Sequence, residues 1–287
     1  MAIEVPELQQ GAIISCVARQ FSRTINNGQR DQPEQKKMFH ALFTLLKYLL
    51  NIIDFLWLTA LLWLCSFLPD TLNRHYYFIL FRTWCRFFVR ALGVELRLHQ
   101  KNHKPLPQHY VLIANHPAAF EDIGIPALFP VCSLAKAEVE NWPIAGRISK
   151  ASGTLYVKRE SKESRKAALE AMVNEVNSGK NIAIYPEGGC TGRRLNKRFL
   201  NGAFEVSLRT GVPIVPVFIH YEAQEDFEWQ DPHTLSRKIW HMMSTQNPRA
   251  NYYVYDAIDP AGFSDVEQYK QFVHAKYKEW DERYLAE

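Results

Sequence analysis

Cysteine, net charge and an early apolar leader are all scarce in this sequence, and each scarcity removes a class of protein. The 287 residues include five cysteines, Cys16, Cys65, Cys85, Cys132 and Cys190, scattered and with no Cys-x-x-Cys pair. An odd, dispersed set suggests neither a zinc site nor a disulfide framework and points to a reducing compartment, so no metal is expected. Lys and Arg number 34 against 30 Asp and Glu, and a pI near 8.7 gives only a mild lean towards phosphates or anionic lipid, without a nucleic-acid footprint. The opening "MAIEVPELQQ" holds two acids and no apolar core follows it, which argues against a cleavable signal peptide.

What the chain does have is an apolar front end. Leu49 to Pro69 reads "LLNIIDFLWLTALLWLCSFLP", broken only by Asp54. A spanning helix needs about 20 apolar residues, so a straight span is strained. A second run, Tyr76 to Gly93, is aromatic and places Arg82, Arg86 and Arg90 along one helical face, the pattern of a helix lying in a lipid interface. Basic residues flank the first run on both sides (Arg30, Lys36, Lys37 and Lys47 before, Arg74 after), so the asymmetry that orients a span is missing. The expectation is two helices dipping into one leaflet from the cytoplasmic face, with Trp57, Trp63 and Trp84 near the interface. The competing reading is a buried helical hairpin.

Beyond Gly93 short β-type runs alternate with helical stretches. Tyr110–Asn115, Thr154–Arg159, Asn181–Pro186, Val212–His220 and Asn251–Ile258 are the strand candidates, and their continuous apolar character suits strands covered on both faces. Between the second and third, Leu169, Met172, Val173 and Val176 repeat at helical spacing, with Gly179 where a C-terminal cap belongs. Strand, helix, strand implies a right-handed parallel crossover. A last helix opens on Ser264 and Glu267 in capping-box spacing and carries Val266, Tyr269, Val273, Tyr277 and Trp280 on one stripe. The expected fold is α/β, a mostly parallel central sheet flanked by helices with an N-terminal membrane-associated helical hairpin. Its parts are a polar segment over 1–37, membrane helices over 38–93 and the α/β domain over 94–287. Functional groups should gather at the strand C-termini.

The stretch "LIANHPAAFEDIG" puts His116 directly after the first strong strand, with Glu121 and Asp122 shortly beyond. A carboxylate that accepts the Nδ1 proton fixes the tautomer and leaves Nε2 free to take a proton from a hydroxyl. Equally, a loop histidine can sit beside a helix whose first turn is acidic for dipole reasons.

Four blocks in order break the tie: "NHPAAFEDI", "GTLYVKR" (Gly153 to Arg159), "YPEGG" (Tyr185 to Gly189) and "VPIVPV" (Val212 to Val217). Together they resemble the 1-acylglycerol-3-phosphate acyltransferase family, the glycerolipid acyltransferases, over about Tyr110 to His220. The family's spacing falls on Glu121, whereas its Asp-Ile ending aligns with Asp122 and Ile123, and Asp122 is the preferred partner of His116. One residue along a helix turns a side chain through about 100°, so only one of the two can meet the imidazole.

By the same resemblance Glu187, Gly188 and Gly189 line the acceptor site, Gly153 belongs to it, and Lys136, Arg159, Arg193 and Arg194 form a basic wall. The arginines arrive later than in the family, in a loop that reads "EGGCTGRRLNKRF". The resemblance implies a membrane-bound acyltransferase that moves an acyl group from an acyl-CoA or acyl carrier protein thioester, as co-substrate and not cofactor, to a lysolipid hydroxyl. Partners are thus a lipid surface, the lysolipid and the donor, not nucleic acid. Two alternatives stay open: a lipid hydrolase with Cys190 or Ser149 as nucleophile, and a non-catalytic lipid-binding relative. Taken alone, Cys190 reads as an ordinary small loop residue.

Overall fold

The computed structural model describes residues 33–285 apart from 69, 191, 193 and 230–233. Most of the segment 1–37 lies outside that range. Helix α1 (Pro33–Cys65) starts in one compact unit that ends at Lys47, and from Tyr48 onwards the chain forms a second. Within it follow α2 (Asp70–Ala91), β1 (Glu95–Gln100), β2 (Val111–Ala114), α3 (Glu121–Leu128), β3 (Cys132–Lys136), α4 (Ala145–Ala151), β4 (Leu155–Val157) and α5 (Lys162–Asn177). Then come β5 (Ile182–Ile184), α6 (Gly202–Thr210), β6 (Ile214–Tyr221), α7 (Gln224–Phe227), α8 (Leu235–Ser244), β7 (Arg249–Val254) and α9 (Val266–Leu285).

The strands make one seven-stranded sheet in the order β1-β7-β6-β2-β5-β3-β4, parallel at every pairing except β6 with β7. This is the expected α/β architecture. Alternation along β2 builds the two cores: Leu112 and Ala114 face the cluster holding Tyr77, Trp84 and Ile125, while Val111 and Ile113 face Val173, Phe204 and Tyr277. Helices α2 and α3 thus cover one face, and α5, α6 and α9 the other. All five predicted strands form, and β1 and β3 are additional. Their polar-laced sequences, ELRLHQ and CSLAK, hide the pattern. Helix α9 is capped one residue later than predicted, by Asp265 accepting from the Gln268 amide at 2.9 Å.

From Leu45 to Cys65, α1 is long and apolar enough to cross a membrane, with 11% of its most apolar window buried. Leu49, Leu50, Ile53, Leu56, Trp57 and Leu64 are exposed, whereas Leu58 and Leu62 pack inwards.

Helix α2 turns two of the three arginines expected at the headgroups onto a neighbouring helix end. Its aromatic stripe is core: Tyr77, Phe81 and Trp84 are buried, and the Trp84 indole donates to Thr59 Oγ1 at 2.7 Å. Two of the three arginines cap a helix end. Arg82 donates from Nε to Pro126 O (3.2 Å) and from Nη2 to Leu128 O (3.3 Å), and Arg86 Nε donates to Ala127 O (3.0 Å). These carbonyls end α3 and have no partner within it, so guanidiniums answer both their lone pairs and the negative end of the helix dipole. The spacing that suggested a lipid-facing row instead matches the turn of a neighbouring helix. Arg82→Ala should therefore cost about 1–2 kcal/mol, read as a lowered thermal midpoint. Arg90→Ala should cost less, because Arg90 is exposed and lies over the Phe87 ring.

Candidate active site

Loops at the C-terminal ends of β2, β4, β5 and β6 converge where the parallel strands run out. Asn115 extends the sheet by one rung of side chain: its Nδ2 donates to Ile219 O (2.9 Å) and its Oδ1 accepts from Ile219 N (2.7 Å). The turn that carries His116 is thereby pinned to β6 just beyond the last backbone pair.

His116 is buried, and its Nδ1 lies 3.0 Å from Glu121 Oε2. Glu121, fully buried, also accepts from the Ala118 amide (3.1 and 3.2 Å to its two oxygens) and from the Tyr221 hydroxyl at 2.5 Å. The preference for Asp122 is overturned. Glu121 is the first residue of α3 and its longer arm folds back under the loop, while Asp122 is exposed. Asp122 still lies near enough to His116 and Arg159 to feel both charges.

Tyr185 stacks on the imidazole, with centroids 4.2 Å apart and planes 13° from parallel. Glu187 ties the site together: Oε1 accepts from His116 N and Oε2 from Asn196 N, both at 2.7 Å. Cys190 Sγ lies 3.3 Å from His116 Nε2 and 3.2 Å from Ala118 O.

Burial works against a charge on His116, but hydrogen bonds with Cys190 and Glu121 outweigh it and hold the ring well above the ordinary histidine value. Burial lifts Glu121 as well, against the bonds from His116 and Tyr221. The Cys190 thiol is pushed up by burial, more than His116 draws it down, and stays protonated at neutral pH.

Of the other predicted residues, Arg159 is half-buried, with Nη1 3.4 Å from where a Cβ on Gly189 would stand. Gly188 and Gly189 form the turn after Glu187. Lys136 is exposed and pairs with Glu138 at 3.1 Å, and Arg194 is exposed. Arg193 lies outside the described residues. Gly153 is a correction: it precedes β4, at the opposite pole of the sheet, where it lines a cavity with Cys132, Ser152 and Lys180. A residue before a parallel strand and one after it cannot share an end of the sheet. Ser149, the other candidate nucleophile, bonds Gly146 O (3.0 Å) and the Tyr156 hydroxyl (2.6 Å).

Sequence reasoning missed Tyr221, Tyr252, Asn115 and the position of Cys190. Tyr252 is buried beside Tyr221, and a Cβ on Gly124 would stand 2.1 Å from its hydroxyl. Gly124→Ala should therefore cost about 1–3 kcal/mol by overpacking, despite alanine's better helix propensity. Adding Tyr252→Phe should restore part of it, as a double-mutant cycle would measure.

Residues 95–220 match the family model described as Acyltransferase. The chain is 33% identical over 141 residues to the lyso-ornithine lipid O-acyltransferase of Pseudomonas aeruginosa, covering 49% of this chain and 53% of that one. It is 23% identical over 121 residues to the 1-acyl-sn-glycerol-3-phosphate acyltransferase of Neisseria gonorrhoeae, covering 41% and 48%. The chain thus spans about half the length of these curated relatives. In fold it is similar to the crystal structure of the 1-acyl-sn-glycerophosphate (LPA) acyltransferase PlsC from Thermotoga maritima, with TM-score 0.59 and 18% identity over 88% of this chain and 98% of that one.

Proposed function

We propose, from the premise that this chain belongs to the acyltransferase family whose model it matches over residues 95–220, that it moves a fatty acyl group from an acyl thioester to the hydroxyl of a lysolipid. The observation that carries the reading is the 3.0 Å contact of His116 Nδ1 with a carboxylate that is itself held by an amide and a tyrosine hydroxyl. With Nδ1 committed to Glu121, Nε2 is the basic nitrogen, and its raised proton affinity suits removal of a hydroxyl proton. That proton leaves as the acceptor oxygen attacks the thioester carbonyl. An ester and a free thiol result.

Arg159, beside the glycine turn, is suited to the acceptor's headgroup, since its fork meets phosphate or carboxylate oxygens in pairs. Arg194 and, by sequence, Arg193 extend that wall. The donor is acyl-CoA or acyl carrier protein, a co-substrate. The apolar α1 would keep the domain at the cytoplasmic membrane face, where both chains reside, so that acceptor and base meet by lateral diffusion.

The test is a radiolabelled acyl-thioester assay against a panel of lysolipids, with both donor types, on the membrane-bound full chain. Transfer to at least one lysolipid is expected. No labelled diacyl product with any pair, or undiminished product with His116→Ala, overturns the reading and favours a non-catalytic lipid-binding relative.

A further inference from the structure

We propose that Tyr221 is a positioning residue for the transfer reaction: its hydroxyl sets the plane of the Glu121 carboxylate and, through it, the aim of His116. The inference rests on the reading of His116 as the general base. Three groups donate to Glu121, and each constrains it differently. The Ala118 amide straddles the carboxylate, 3.1 Å from Oε1 and 3.2 Å from Oε2. A donor shared so evenly lies near the bisector of the two oxygens and leaves rotation about that line free. Tyr221 removes the freedom. Its hydroxyl donates to Oε1 alone, at 2.5 Å, which delivers Oε2 to His116 Nδ1 at 3.0 Å.

Packing fixes the tyrosine itself. It ends β6, the strand paired with the one that leads to His116, and it is buried. Its ring stacks on Phe227, with centroids 4.5 Å apart and planes 10° from parallel, and meets Phe120 edge-on with centroids 6.2 Å apart. Phe120 precedes Glu121, so the ring braces the start of α3 while the hydroxyl holds the first side chain of that helix. Glutamate needs such a hold, because its extra torsion over aspartate must be locked by packing or by bonds before the imidazole can be aimed. Burial and the neighbouring carboxylate push the Tyr221 hydroxyl well above the ordinary phenol value. It therefore remains a donor at neutral pH.

The test is steady-state kinetics on the full chain in detergent, with the donor and lysolipid pair that the wild type turns over fastest. Tyr221→Phe, Glu121→Gln and the double variant are run beside it. Tyr221→Phe should lower kcat about tenfold and leave both KM values within about twofold of wild type, because the loss falls on the aim of the base and not on substrate binding. In the Glu121→Gln background the same change should slow the reaction by less than about twofold, since the carboxylate through which Tyr221 acts is already gone. Replacing Tyr221 by 4-fluorophenylalanine, which fills the hydroxyl's place and donates nothing, should match Tyr221→Phe and keeps the test decisive should the phenylalanine variant fail to fold. Spectra of nitrogen-labelled histidine, assigned with His116→Ala, add a signature: the neutral His116 ring carries its proton on Nδ1 in the wild type and should populate both tautomers in Tyr221→Phe.

A kcat unchanged in both Tyr221 variants overturns the proposal. So does an equal loss with and without Glu121→Gln, which would make Tyr221 a packing residue, or a loss confined to KM, which would set it against substrate. Undiminished transfer in His116→Ala, or no transfer by the wild type with any pair, sinks the underlying reading instead.

Discussion

His116→Ala is expected to lower acyl transfer by about ten-thousandfold while leaving the protein folded. The rate loss is large because Glu121 is sealed on the Nδ1 side and Asp122 is exposed. The fold survives because the carboxylate that loses its partner is still served. Tyr221 and the Ala118 amide continue to donate to Glu121, so the variant avoids the cost of several kcal/mol that an unpaired buried charge carries. Burial then favours the protonated carboxyl, which relieves the site further. Activity and thermal unfolding measured on the same preparation separate the two effects. A variant that melts far below wild type, or one that turns over within an order of magnitude of it, contradicts the assignment.

Glu121→Gln should cost about 10²–10⁴-fold, and it should also move the pH profile. A base works in its neutral form, and His116 is held above the ordinary value near 6.5, so the rate should rise with pH through a midpoint higher than that. Glu121 is one of the groups that raises it. Replacing the anion by an amide removes the attraction for the imidazolium, the ring's proton affinity falls, and the acid limb moves to lower pH while the plateau drops. Asp122→Asn removes only a more distant charge and should leave the plateau largely intact with a small shift in the same direction. A profile of rate against pH for the three proteins decides it. Collapse with Asp122→Asn and near-normal behaviour with Glu121→Gln would reverse the pairing.

The sheet and the histidine were legible because both obey local rules. β2, β5 and β6 are unbroken apolar runs, and a polar residue directly after such a run lies at the edge where parallel strands stop. The carboxylate was not legible. The choice between Glu121 and Asp122 depends on where α3 begins, and Phe120, its cap, offers no side-chain signal for that start. Glu121 and Tyr221 stand 100 residues apart in sequence, and only the adjacency of β2 and β6 brings them together. Taken alone, Cys190 reads as an ordinary loop residue, because the imidazole it meets lies 74 residues earlier, just beyond the strand beside β5. The α2 arginines misled for a related reason. Periodicity reports that a face exists and is silent on whether lipid or a helix end meets it.

Glu187 has a consequence for engineering. One carboxylate grips the backbone of His116 and, with its other oxygen, that of Asn196, so the histidine turn and the far end of the glycine-rich segment share an anchor. Grafting residues 188–199 from a relative to change substrate choice would replace one of the two amides that Glu187 holds. Even in a graft that keeps Cys190, a shift of that amide out of register would loosen the histidine through its backbone anchor, and turnover would fall for every substrate together instead of switching among them.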